Sequence, residues 1–159
     1  AIELTDDKIK WVFLGEGRKL NWFSNKIKEN KLIGRVKILG AYPVEEMPHF
    51  FCHADLTLVS LTNDYIFSLT MPGKVQSYMA SGKPIVTMLN GEGNIVIQNA
   101  NCGFCANASD YKMLAINITN ASNLSSVKLN EYGNNGRKYY ETYFKKEIII
   151  DKFCKILDN

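Results

Sequence analysis

The stretch Phe67-Ser-Leu-Thr-Met-Pro-Gly-Lys-Val-Gln-Ser-Tyr-Met-Ala-Ser-Gly-Lys-Pro-Ile-Val86 reads as a loop, a helix and the opening of a buried strand. Pro72 and Gly73 suit a helix start, where proline's missing amide hydrogen costs nothing. Lys74 to Ser81 continue the helix, Gly82 stops it, and Pro84 launches the apolar run Ile85-Val86-Thr87-Met88-Leu89. The amides at such a helix start have no intrahelical partner. With the partial positive charge of the helix end and the cationic Lys74, they favour a diphosphate above the sheet. The same residues also read as an ordinary helix-to-strand corner.

Outward from this stretch, apolar runs alternate with amphipathic segments. Strands are predicted at about 11–14, 36–39, 56–60, 85–89 and 103–106, with helices between them. That rhythm implies an α/β fold, a Rossmann-like parallel sheet of about five strands covered on both faces. Beyond residue 108 the pattern turns helical: Ser109-Asp110 caps a helix to about 121, Ser125-Ser126 caps another to about 141, and 145–157 forms a last amphipathic one. Tyr139, Tyr140, Tyr143 and Phe144 read as packing residues rather than as a sugar platform. The chain, 1–159, reads as a single domain without repeat or long linker.

With 46% apolar residues in 159, the chain can bury a substantial core. The formal charge of +3 is spread without a basic block, which argues against nucleic acid, and the lysines around 26–37 read as solvated helix faces. No apolar run approaches the ~20 residues of a membrane span, and no signal peptide is visible at the start, so a cytoplasmic protein is expected.

The four cysteines make no disulfide framework. Cys102-Gly-Phe-Cys105 has the spacing of half a zinc site, but no second pair follows, so both read as small core residues. His49 and His53 share a helical face with Cys52 between them. Without a third ligand nearby they read as surface or packing residues, and no metal is expected. The Asn-x-Ser/Thr matches at Asn107, Asn117, Asn120 and Asn123 would matter only in a secreted protein.

Several segments together resemble one family. Residues 72–84 are similar to the "P-x-K-x-x-E-Y-M-A-x-G-K-P" region of retaining glycosyltransferases of family 4, in the C-terminal half of their two-domain GT-B fold. Trp11-Val-Phe-Leu-Gly-Glu-Gly17 resembles the strand ending in G-x-G, and Val36 to Met47 resembles "V-x-F-L-G-x-x-P-x-x-E-L". Ala54 to Ser60 resembles "A-D-V-x-L-x-P", Asn94 to Phe104 resembles the helix-strand step "V-I-x-x-x-x-x-G", and Asn135 to Phe144 resembles the closing helix. The subgroup nearest in pattern makes bacterial cell-surface polysaccharide and carries "I-F-S-L-T-I-P-S-K" before the helix.

The resemblance implies a hexosyltransferase that moves a sugar from a nucleotide-diphosphate donor, UDP-linked, to a lipid-linked or glycan acceptor, with no cofactor or metal. It implies donor contacts at Gly15, Glu16 and Gly17, with the base held at Gly40, Ala41 and Tyr42. Phe67, Ser68, Leu69 and Thr70 match the loop whose amides face the sugar and distal phosphate. Lys74 matches the electrostatic partner, and Lys74, Ser77 and Tyr78 the helix face toward the ribose. Gly15, Gly40, Ser68, Thr70 and Lys74 are expected along one cleft. Catalytic residues are not identified.

This sequence departs from the family at one point. Many members carry two glutamates eight residues apart, where Leu69 and Ser77 stand here. The resemblance also implies that a first strand, a Gly-Arg…Lys-Gly loop and an N-terminal acceptor domain precede Ala1, making this an N-terminally truncated, inactive fragment. The missing strand belongs mid-sheet in the order 3-2-1-4-5-6, so its absence either closes a gap or leaves two unpaired edges. The parent enzyme is then a partner of this piece, with peripheral association at the inner membrane face open to it. A non-catalytic nucleotide-sugar-binding module is the alternative that Leu69 and Ser77 motivate. A sugar-nucleotide epimerase of related fold is the other.

Overall fold

Short β-branched and apolar runs bracketed by turn residues fold as strands, and the longer periodic segments between them fold as helices. The computed structural model describes residues 1–157. In chain order the elements are β1 (Trp11–Phe13), α1 (Leu20–Glu29), β2 (Val36–Ile38), α2 (Met47–Cys52), β3 (Thr57–Ser60), α3 (Tyr65–Ser68), α4 (Gly73–Ser81), β4 (Ile85–Met88), α5 (Glu92–Ala100) and β5 (Gly103–Ala106). Three further helices follow: α6 (Tyr111–Ser122), α7 (Ser126–Tyr143) and α8 (Lys146–Leu157).

All strand pairings are parallel, as expected of this α/β class. The strands divide into a two-stranded sheet, β1-β2, and a three-stranded sheet, β3-β4-β5, rather than one continuous sheet. Among the described residues, one edge of β1 and one of β3 therefore have no strand partner. This is the open-edged one of the two outcomes considered from the sequence.

Register decides what each face buries. Leu58, Val86 and Phe104 lie side by side, and the neighbouring row holds Val59, Thr87 and Cys105. Successive side chains point to opposite faces. Val86, Leu58 and Phe104 thus join a core with Trp11 and Val36 of the first sheet, Ile27 of α1, and Leu114 and Ile118 of α6. Apolar packing therefore bridges the two sheets that hydrogen bonding leaves apart. On the other face, Val59 and Ile85 pack with Val75 and Met79 of α4 and Ile97 of α5.

Helix α7 completes that second core. A side chain at its Gly133 would place Cβ 2.0 Å from the Gly82 carbonyl oxygen, so α7 crosses the end of α4 at backbone contact. The Arg137 guanidinium donates to the Ala80 carbonyl and pairs with Glu141 at 2.6 Å. Tyr139, Tyr140 and Phe144 pack against the core, in keeping with their reading as packing residues, and Tyr143 stands half exposed against Tyr139.

The four cysteines are free. Cys102 is fully buried, and burial, with some help from neighbouring Cys105 and opposed by a backbone hydrogen bond, pushes its thiol up to about 12. Burial also raises Cys105, against a hydrogen bond from Thr87. His53 Nδ1 lies 2.7 Å from the His49 carbonyl oxygen. Among the described residues, no cluster of three His, Cys, Asp or Glu side chains is placed to hold a metal.

Candidate functional site

Because the strands are parallel, their carboxyl ends gather on the side where ligands of open α/β sheets bind. Direct bonds tie the loops there together. The Gly15 amide donates to the Gly40 carbonyl at 2.6 Å, joining the ends of β1 and β2. Gly15 holds φ at 120°, a conformation that a side chain would strain. Asn90 spans three loops: its amide donates to Asn63 Oδ1 at 3.0 Å, and its Oδ1 accepts from the Ala108 amide at 3.0 Å. Gly91 lies against the backbone of Ser68 so closely that a Cβ there would meet the Ser68 carbonyl oxygen at 1.9 Å.

Beneath these loops lies a buried polar network. Asn94, in the first turn of α5, donates to the carbonyls of Leu89 at 2.6 Å and Ala106 at 3.1 Å, and accepts from Thr87 Oγ1 at 2.5 Å. Every polar atom of the Asn94 side chain is thus engaged, as a dry interior requires. The network fixes the turn after β4 and the start of α5 relative to the end of β5.

The helix starts differ in how they end. Side chains cap α3 (Asp64), α6 (Asp110) and α7 (Ser125), each accepting from a first-turn amide. The residues before α1, α2, α4 and α5, namely Lys19, Glu46, Pro72 and Gly91, provide no such side-chain bond. Helices α1 and α5 follow β1 and β4 directly, and α4 follows β3 after the short turn α3. The amides of Leu20, Val75 and Asn94 bond back to Gly17, Pro72 and Gly91, and the remaining first-turn amides are left for an external acceptor. Lys74 follows in the first turn of α4, exposed and without a hydrogen bond or ion pair among the described residues.

The structure distributes the expected site residues along this rim. Gly15, Glu16 and Gly17 line an open cavity of about 350 Å³ with Phe13, Leu14, Lys19, Leu20, Trp22, Phe23 and Ile38. Gly40, Ala41, Tyr42, Ser68, Thr70 and Lys74 lie outside that wall, so the five residues expected along one cleft do not share this cavity. Gly40 touches it only through its bond to Gly15. Tyr42 packs edge-on against Phe50, ring centroids 4.7 Å apart.

Phe67 and Ser68 belong to the helical turn α3 rather than to an extended loop, and the Ser68 hydroxyl donates to Tyr65 at 2.7 Å. Leu69 and Thr70 follow it, both exposed. On α4, Ser77 is exposed and donates to the Gly73 carbonyl at 3.4 Å. Tyr78, expected to face a ribose, packs against the second core and edge-on against Phe51, because it borders the buried face of α4 marked by Val75 and Met79. Burial raises its hydroxyl above the ordinary tyrosine value. Trp22 and the Asn90 and Asn94 bridges were not singled out from the sequence. Only Trp22 left a trace there, as a large aromatic off the core face of α1.

Solved structures share this architecture at low identity. HepE from Anabaena, in complex with UDP, superposes with a TM-score of 0.84 at 19% identity, covering 98% of this chain and 42% of its own. TarM from S. aureus, in a complex that includes UDP, superposes at 0.84 with 18% identity, covering 99% of this chain and 31% of its own. The pneumococcal O-GlcNAc transferase GtfA, in complex with UDP and GlcNAc, gives 0.71 at 15% identity, covering 94% of this chain and 29% of its own. The chain thus spans well under half the length of these proteins. No curated protein matches it. The parallel strands, the glycine-ended loops and the helix of residues 73–81 all fall within residues 1–123, which match the family described as glycosyl transferases group 1, and the chain belongs to that family.

Proposed function

We propose that the chain is the donor-binding domain of a retaining glycosyltransferase of family 4. The full enzyme transfers a hexosyl group from a uridine-diphosphate sugar to a lipid-linked or glycan acceptor in surface-polysaccharide synthesis. The observation that carries this reading is the set of helix starts without side-chain caps, α1 and α5 after β1 and β4 and α4 after the turn that follows β3, with Lys74 in the first turn of α4. HepE, which shares the fold, is a UDP-bound protein, and this supports the choice of nucleotide.

The chemistry asked of such a site is electrostatic. As the glycosidic bond breaks, negative charge builds on the diphosphate oxygens, and preorganised amides and Lys74 stabilise that charge more than they stabilise the ground state. Neither metal nor cofactor enters this account. Residues beyond this chain supply the acceptor side and further cations, at the cytoplasmic face of the membrane, so the isolated chain does not turn over.

A second reading, a non-catalytic nucleotide-sugar-binding module, is favoured by one observation. Leu69 and Ser77 put no carboxylate where contacts to the donor sugar and the ribose are expected. Calorimetric titration of the isolated chain with uridine diphosphate separates the two. With one wall of the cleft open, water and salt screen the attraction, and a dissociation constant of about a millimolar is expected, roughly −4 kcal/mol. Micromolar binding by this chain alone would favour the stand-alone module.

A further inference from the structure

Helix α7 carries two stripes along its length. One is pressed inward: a Cβ at Gly133 would meet the Gly82 carbonyl, and one at Gly136 would lie 3.1 Å from the Cys102 Cβ. The other, Asn135, Lys138, Tyr139, Thr142 and Tyr143, follows the i, i+3, i+4, i+7, i+8 spacing of a single helix face. It lines an open cavity of about 300 Å³ together with Asn99 and Ala100 from the last turn of α5. Helix α5 starts after the carboxyl end of β4 and ends before β5 begins, so this cavity lies toward the rim opposite the candidate donor site.

A helical stripe with this spacing is ordinarily apolar core, and here it is polar and aromatic instead. Asn99 and Lys138 are exposed and make no hydrogen bond or ion pair among the described residues. Asn135 spends one amide hydrogen on the Asn101 carbonyl at 3.1 Å, which leaves its second hydrogen and its Oδ1 to spare. Tyr143, read from the sequence as a packing residue, is 48% exposed, with its ring 4.5 Å from that of Tyr139 and the Lys152 ammonium 5.7 Å from its centre. Of the carboxylates in α7 and α8, Glu131, Glu141 and Asp151 are paired with basic side chains. Lys138 and Lys152 therefore face little competing negative charge from these helices.

We propose that this groove is a second glycan-binding site, taking a pyranose unit that carries a carboxylate. It goes beyond the proposed donor site and stands on its own geometry. The slightly positive C–H hydrogens on one face of a pyranose are attracted to the negative face of a tyrosine ring. Sugar hydroxyls both donate and accept, and the amide side chains of Asn99 and Asn135 offer both functions. Lys138 supplies the charge for the carboxylate. On a domain of a glycosyl transferase family, such a groove keeps an acidic glycan close without entering the reaction.

The experiment titrates the isotopically labelled chain with a hyaluronan tetrasaccharide, which carries uronates, and with neutral cellotetraose. Amide shifts are followed for wild type, Tyr143→Ala, Tyr143→Phe and Lys138→Ala. Saturable shifts are expected in residues 99–101 and 135–143, with the uronate probe bound about threefold more tightly than the neutral one. Tyr143→Ala is expected to weaken the uronate probe about fivefold, while Tyr143→Phe, which keeps the ring face, holds most of the affinity. Lys138→Ala is expected to bring the two probes level. No saturable shift in these residues with either probe, unchanged affinity in Tyr143→Ala, or equal affinity for the two probes in wild type overturns the proposal. Uridine diphosphate added to the same samples reports on residues 15–19 and 68–75, so failure of this site and failure of the donor site are told apart. Both substituted side chains are exposed, and unchanged amide spectra away from the cavity check that the variants fold.

Discussion

Lys74 stands in the first turn of α4 behind a proline that gives the helix no side-chain cap, and its ammonium has no partner among the described residues. A cation left free beside uncapped amides carries the proposed phosphate contact. Lys74→Ala in the full enzyme is therefore expected to weaken nucleotide binding by about 1 to 3 kcal/mol, the range for a charge-assisted hydrogen bond. Unchanged affinity by calorimetry would remove Lys74 from the site. Ser77 lies on the same helix, exposed, with its hydroxyl turned back to Gly73 at 3.4 Å. Ser77→Glu is expected to strengthen nucleotide binding if it restores a ribose clamp. A loss instead would show that the short side chain serves a different donor pose. The helix start at Pro72 and Gly73 was legible in the sequence because it is a local signal. The inward turn of Tyr78 was not, because it depends on Phe51 from another element.

At the scale of elements, α7 meets the end of α4 at backbone contact, where side-chain size matters. Gly133→Ala tests it. Helix propensity alone favours alanine by about 1 kcal/mol. The added Cβ, however, would fall 2.0 Å from the Gly82 carbonyl, and a backbone group cannot move aside as a flexible side chain does. Net destabilisation of at least about 2 kcal/mol is expected from the denaturation midpoint. An unchanged or raised midpoint would mean that the helices separate at little cost. The strands and the four helices given bounds, α4, α6, α7 and α8, were readable to within a residue or two because proline, glycine and capping residues bracket them: Asp110 and Ser125 cap α6 and α7 as expected. Helix α3 was not read as such, since four residues show no period and Asp64 was its one signal. The division into two sheets was also not fixed by local pattern, because pairing is decided by which strands lie adjacent in space.

At the scale of the whole molecule, burial governs how stability responds to pH. Cys102 is pushed up to about 12 from an ordinary value of 9.0, and Cys105 and Tyr78 move in the same direction through burial. Below about pH 9 the thiol is protonated in both folded and unfolded chains, and the stabilising difference is fully present. Between about pH 9 and 12 the unfolded chain loses this proton while the folded chain keeps it, so stability falls as pH rises. Cys102→Ala is expected to flatten that alkaline decline in the urea midpoint, and an identical slope would contradict the assignment. The cavity and loop bridges of the candidate site belong to this scale too. Asn90 and Trp22 gain meaning only once loops from several strands are brought to one rim.

The most direct test of the central claim is an amide chemical-shift map of the isotopically labelled chain titrated with uridine diphosphate. Saturable shifts are predicted at the carboxyl ends of the strands, in residues 15–19, at Gly40 and Ala41, in residues 68–75 and at Gly91, with little change at residues 30–35 or 101–103 near the opposite strand ends. Shifts concentrated at that opposite end, or none at any ligand concentration, would contradict a donor-nucleotide site on this fold.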